Sequence, residues 1–165
     1  MDTISLLTVG DSVNTDPAAP GIPYRMVGIP DGLGAFDNGD GTFTAVMNHE
    51  LPPAAGRVRA HGAPGAFVSK WTIDKKTLRV LHGEDLIKQV ALAPGGAYAP
   101  PAKGVVIGRL CSGNLPEQSA LYNAKSGLGY PGRMFMSGEE VGAEGRAFAH
   151  DMSGTSWELP YLGKF

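Results

Sequence analysis

The chain has 165 residues, a formal net charge of −2 and 42% hydrophobic residues, outside the low-hydrophobicity, high-charge regime of disordered chains, so one folded unit over residues 1–165 is expected. Glycine (24) and proline (13) exceed one residue in five while charged residues are only 18%, which argues against a long-helix or coiled-coil protein. No run of Lys or Arg marks a nucleic-acid or membrane-surface partner, and no stretch reaches the about 18 uncharged apolar residues of a membrane span.

Residues 1–7 carry Asp2 and no basic residue ahead of a short apolar run, so no secretory leader is visible. The protein is then cytosolic or its leader lies outside this sequence. Residues 33–36 and 42–47 are β-rich and flank Asp37-Asn38-Gly39-Asp40-Gly41, whose Asn-Gly and Asp-Gly pairs supply the positive φ of a hairpin turn. A second hairpin is expected from the alternation over residues 67–73, the turn at Asp74-Lys75-Lys76 and the run 77–81. Residues 83–90 and 118–123 read as one or two helical turns each, and residues 91–103, with three prolines, as a long connection. Shorter β-rich runs lie at 105–107 and 133–136, and a third hairpin joins 146–150 to 155–159 across Asp151-Met152-Ser153-Gly154.

Hairpins with an Asp-containing turn are what the outer strand pair of a propeller blade looks like, and a blade repeats about every 40–45 residues. The expected fold is therefore all-β: a partial β-propeller of roughly three to four blades built from antiparallel hairpins. Residues 161–165 carry no closing-strand signal, which suggests the N-terminal part of a larger propeller.

Several clusters offer chemistry. Asn48-His49-Glu50 stands where the first hairpin's return strand runs into Pro52-Pro53, and its donors suit a metal or phosphate as well as an ordinary polar strand end. Cys111, the single cysteine, lies in Arg109-Leu110-Cys111-Ser112-Gly113-Asn114; it is a soft metal ligand or a small buried hydrophobe. Glu139 and Glu140 follow an apolar run, and adjacent strand residues face opposite ways, so one can face a site while the other is solvated or paired. Arg57 and Arg59, with His61 beyond them, are spaced to share one face of an extended segment and grip a phosphate, or to form an exposed basic strand. Val9-Gly10-Asp11-Ser12 resembles the nucleophile block of GDSL-type serine hydrolases. That family's closing Asp-x-x-His is absent, since none of His49, His61, His82 and His150 has Asp three residues before it.

In order and spacing, Gly32-Leu33-Gly34-Ala35-Phe36, Asn48-His49-Glu50, Arg59-Ala60-His61-Gly62, Cys111-Ser112-Gly113 and Gly138-Glu139-Glu140 resemble the N-terminal part of the PhoX-type alkaline phosphatases and their phytase-like propeller relatives, over residues 28–163. The resemblance implies a propeller whose central channel holds iron and calcium and which hydrolyses phosphate esters of small molecules. It implies Glu50, Cys111 and Glu139 or Glu140 as metal ligands, beside Asn48 and His49, with Arg57, Arg59 and His61 as the candidate catalytic residues. It also implies export, periplasmic or secreted. The chain departs from the family in having Ser112-Gly113 for Ala-Gly-Gly, no Thr-Pro-Trp-Gly-Thr-Trp segment and a long interval from Cys111 to Glu139. A missing C-terminal half, self-association that completes the ring, and a propeller module that binds without catalysis are the accompanying alternatives.

Overall fold

The structure, a computed structural model, describes residues 3–162. The strands in chain order are β1 (Ser12–Asp16), β2 (Ala19–Arg25), β3 (Ile29–Asp37), β4 (Thr42–Glu50), β5 (Phe67–Asp74), β6 (Val80–Asp85), β7 (Gln89–Ala91), β8 (Leu110–Asn114), β9 (Tyr122–Asn123), β10 (Leu128–Gly129), β11 (Met134–Glu139), β12 (Ala147–Asp151) and β13 (Thr155–Glu158), with one helical turn, α1 (Gln118–Leu121). Strands β3 to β6 form a four-stranded antiparallel meander, and β8, β11, β12 and β13 form a second one, extended by β7 pairing parallel to β13. Two two-stranded ribbons, β1–β2 and β9–β10, complete the strands.

Each of the three expected hairpins is present, and an aspartate organises each turn. Asp37 and Asp40 accept from the backbone N–H of Gly39 and Thr42, at 2.7 and 2.9 Å. Asp74 accepts from Lys76 and Thr77 N–H, and Asp151 from those of Ser153, Gly154 and Thr155. A carboxylate that accepts turn amides two to four residues away fixes the loop through local bonds, which is why these turns are visible in sequence.

Both faces of the first meander are covered. Val46 and Val68 pack with Ile107, Leu110, Phe135 and Phe148 of the second sheet and its approach, while Phe67, Trp71, Ile73 and Val80 pack with Tyr24 and Met26 at the β1–β2 ribbon. Burial on both faces explains why β4 lacks clean apolar-polar alternation. The first strands of the two meanders, β3 and β8, lie against each other.

Other expectations are revised. Residues 83–90, read as helical, are the end of β6, a core-forming Leu86-Ile87 pair and the start of β7; partnership with β13, 66 residues later in sequence, overrides local preference. Residues 118–123 hold α1 and then β9. In the run 105–107 only Ile107 pairs, in an isolated bridge to Gly65, and the run 133–136 falls within β11 of the second sheet. The described residues therefore form two large sheets and no closed ring. Among them no helix is long and apolar enough to cross a membrane.

Candidate metal centre

The β3–β4 ladder slips between Pro30 and Leu33, so Asp31 and Gly32 sit in an irregularity of β3. Such a bulge re-aims a side chain. Here Asp31 reaches Glu50, the last residue of β4, and Cys111, the second residue of β8; their ligand atoms all lie within 4.8 Å of one another. Glu50 is buried, and Asp31 and Cys111 are partly buried.

Two devices bring the sheets this close. Gly32 and Gly113 meet backbone to backbone, with no room for a side chain between them. Asn48, fully buried on β4, donates its amide to the carbonyls of Cys111 (3.3 Å) and Ser112 (2.9 Å) and accepts the Ser137 hydroxyl at 2.8 Å. It therefore clamps the backbone that carries Cys111.

The cluster is electrostatically tense. The hydrogen bond Asp31 shares with Glu50, helped by the Cys111 thiol and the Gly32 N–H, holds Asp31 below the usual carboxylate range. Cys111 is pushed up to about 11, first by its hydrogen bond to Asp31 and then by burial. The thiol thus keeps its proton at neutral pH, as a proton donor to the carboxylate, and a cation would have to displace that proton. The cation at the cluster is Arg109: its Nε and Nη2 both reach Oε2 of Glu50, and its Nε lies 3.4 Å from Glu140 Oε2.

Two carboxylates and a thiolate form a mixed hard and soft donor set of the kind that suits iron or zinc. Calcium takes six to eight oxygens, more than this triangle presents, so the calcium expectation has no counterpart at these three residues.

The remaining candidates have other duties. His49 Nδ1 bonds the Val27 carbonyl at 2.6 Å and Nε2 meets Ser69 Oγ at 2.8 Å, and Ser69 in turn accepts Trp71 Nε1–H at 2.7 Å. Both ring nitrogens are engaged, so His49 is a core residue and not a ligand; burial lowers its pKa to about 4. Asn48 is the clamp described above. Glu139, 1% exposed, accepts from Gly108 N–H, Arg146 N–H and the Arg146 guanidinium, which leaves it a structural ion pair. Glu140 is exposed on the rim beside Arg109. Arg57 pairs with Asp16, and Arg59 is buried over the Phe67 ring, 3.5 Å from its centroid, and 3.6 Å from Asp85. His61 is fully buried, and burial followed by the Arg59 charge lowers its pKa to about 4. The partners of Arg57 and Arg59 are thus Asp16 and Asp85 rather than members of the cluster. Ser12 opens β1 in a depression with Val13, Leu78, Arg79 and Val80, and no histidine among the described residues lines it.

Glu50 and Cys111 were legible as candidates; Asp31 and Arg109 were not. Pro30-Asp31-Gly32 reads locally as a turn, and only the slipped register aims its carboxylate.

Comparison with protein-family models, curated proteins and solved structures returns no match for this chain. Fold and site together define a mostly β chain of antiparallel sheets carrying a carboxylate-thiol cluster with an arginine on its rim.

Proposed function

We propose that this chain is the N-terminal part of a metal-dependent phosphate-ester hydrolase of the PhoX-like type, with its two meanders as consecutive propeller blades. The observation that carries the reading is the convergence of Asp31, Glu50 and Cys111 within 4.8 Å, drawn from the adjoining strands of two sheets. Two of the three are residues that the PhoX resemblance implies as ligands. A bound iron would supply Lewis acidity, polarising a phosphoryl oxygen and stabilising charge that develops in the transition state. Cys111 would give up its proton on loading, Asp31 and Glu50 would supply carboxylate oxygens, and Asn48 would hold the Cys111 backbone in place. Calcium would require oxygen ligands beyond this triangle, from a downstream half or from a second copy.

The test is the metal content of the purified chain beside Cys111→Ala, followed by hydrolysis of a phosphate monoester. Bound metal that is lost in the variant, with turnover, supports the reading; a folded, metal-free chain contradicts it. A second reading, a propeller module that binds without catalysis, is favoured by the internal ion pairs of Arg57 and Arg59, which tie up two of the groups expected to grip phosphate. Metal bound at the cluster with no hydrolysis by the complete ring supports that alternative.

A further inference from the structure

Arg109 stands apart from the other arginines near the sheet junction. Its side chain is 47% exposed, against 2% for Arg59 and 27% for Arg146. Arg59 is packed on Phe67, and Arg146 is bound through several donors to Glu139. Arg109 instead directs two donors, Nε and Nη2, onto one oxygen of Glu50. A guanidinium fork matches the two oxygens of a carboxylate or phosphate in parallel, and here that match is unmade. The same Glu50 is a corner of the metal-ligand triangle, so one carboxylate serves two claims.

Resting on the metal-site reading above, we propose that Arg109 is the anion-anchoring residue of this centre: it neutralises Glu50 while no cation is bound, and a cation in the triangle releases it to hold a phosphate oxyanion. A half-exposed ion pair is weak in water, and a multivalent cation gathering Asp31, Glu50 and the Cys111 thiolate outcompetes it. The released guanidinium stays tethered two residues from Cys111, beside the place where a metal-bound phosphate monoester would lie. Glu140 on the rim also pairs with Arg109, at 3.4 Å from Nε, but both side chains are about half exposed and such a pair is weak in water.

This assignment predicts a sign that a scaffolding role would not. Arg109 repels the incoming cation, so its removal tightens cation binding by about tenfold, the effect of a unit charge facing a divalent ion across roughly 6 Å of water-like dielectric. Phosphate binding moves the opposite way.

The whole chain is titrated with Co²⁺, read by the thiolate-to-cobalt charge-transfer band, and the loaded protein is then titrated with inorganic phosphate by calorimetry, for wild type, Arg109→Gln and Arg109→Lys. Arg109→Gln should bind Co²⁺ about tenfold more tightly and phosphate at least about tenfold more weakly. Arg109→Lys should restore near-wild-type Co²⁺ affinity with only partial recovery of phosphate, since it keeps the charge and loses the fork. Weaker Co²⁺ binding in Arg109→Gln, or unchanged phosphate affinity, overturns the inference while leaving the metal site standing. Absence of the charge-transfer band in the folded wild type overturns the metal site itself and this inference with it.

Discussion

Gly32 and Gly113 face each other so closely that a Cβ on Gly32 would lie 2.2 Å from the backbone nitrogen of Gly113. No side chain fits there, and neither partner is a flexible group that can give way. The contact sets the spacing of β3 and β8, and with it the distance from Asp31 to Cys111. Gly32→Ala should lower stability by about 3 kcal/mol or more, as overpacking at a rigid contact does, and abolish metal binding at the cluster. Gly39→Ala is the comparison: it sits at φ 79 in open space and should cost about 1 kcal/mol with metal binding intact. Urea unfolding with parallel metal titration reads both quantities.

Asn48 joins three partners across the sheet junction, and its loss leaves a buried hydroxyl and two carbonyls short of bonds. Asn48→Ala should destabilise the fold by about 2–3 kcal/mol. Asn48→Asp should do worse at neutral pH, because a carboxylate would replace the amide donor against two carbonyl oxygens. Both variants should weaken metal binding through Cys111 and not through a lost ligand, so thiol titration of the unfolded proteins should be unchanged.

Glu139 separates a structural carboxylate from a ligating one. Its oxygens are engaged by Gly108 and Arg146, and the Arg146 pairing, together with those backbone bonds, holds its pKa down against burial. Glu139→Gln should reduce stability by about 2–4 kcal/mol, discounted for the partly exposed arginine, and leave the metal affinity of the folded protein within about twofold. Glu50→Gln should show the reverse ranking, a large loss of metal affinity with a smaller stability change. Metal affinity that falls as far in Glu139→Gln as in Glu50→Gln would return Glu139 to the metal site.

Buried histidines set the acid side of the stability profile. Asn48 donates its amide hydrogens to carbonyls, so its Oδ1 must accept the Ser137 proton; the Ser137 oxygen then accepts from His150 Nε2–H at 3.1 Å. His150 is therefore held neutral as the Nε2–H tautomer, fully buried, with its pKa lowered to about 3 by burial; His61 is lowered to about 4. A depressed histidine contributes nothing unfavourable above the unfolded value near 6.5, and it destabilises the fold as pH falls because only the unfolded chain takes up the proton. Between about pH 6 and 4.5 these two together with His49, which burial lowers to about 4 as well, should remove about 4 kcal/mol per pH unit. Urea midpoints at pH 7, 6 and 5 test this, and equal midpoints at pH 7 and pH 5 would contradict it.

The parts of the fold written locally were legible. Asp37, Asp74 and Asp151 announce their turns because each carboxylate binds amides only two to four residues away. The parallel β7–β13 pairing depends on a partner distant in sequence, and nothing in residues 83–90 marks it; the β1–β2 ribbon closes locally, Asp16 opposite Ala19, but three prolines and a glycine in residues 12–25 hide its strands. At the site, residue type left Asn48-His49-Glu50 and Cys111 open between ligand and structural roles, and the PhoX resemblance singled out Glu50 and Cys111. Residue type could not exclude His49, whose two nitrogens are taken by Val27 and Ser69, or Arg59, whose charge lies over Phe67. Asp31 was hidden by a local sequence that reads as a turn, and its aim comes from the register slip between Pro30 and Leu33.

The most direct measurement is elemental analysis of the purified, folded chain for wild type, Asp31→Asn and Cys111→Ala. Residues from two sheets forming one metal site predicts bound metal near one equivalent in wild type, lost in both variants while their folds persist by circular dichroism. Metal retained unchanged in Cys111→Ala, or a folded wild-type chain that takes up none when supplied with iron or zinc, would contradict the site.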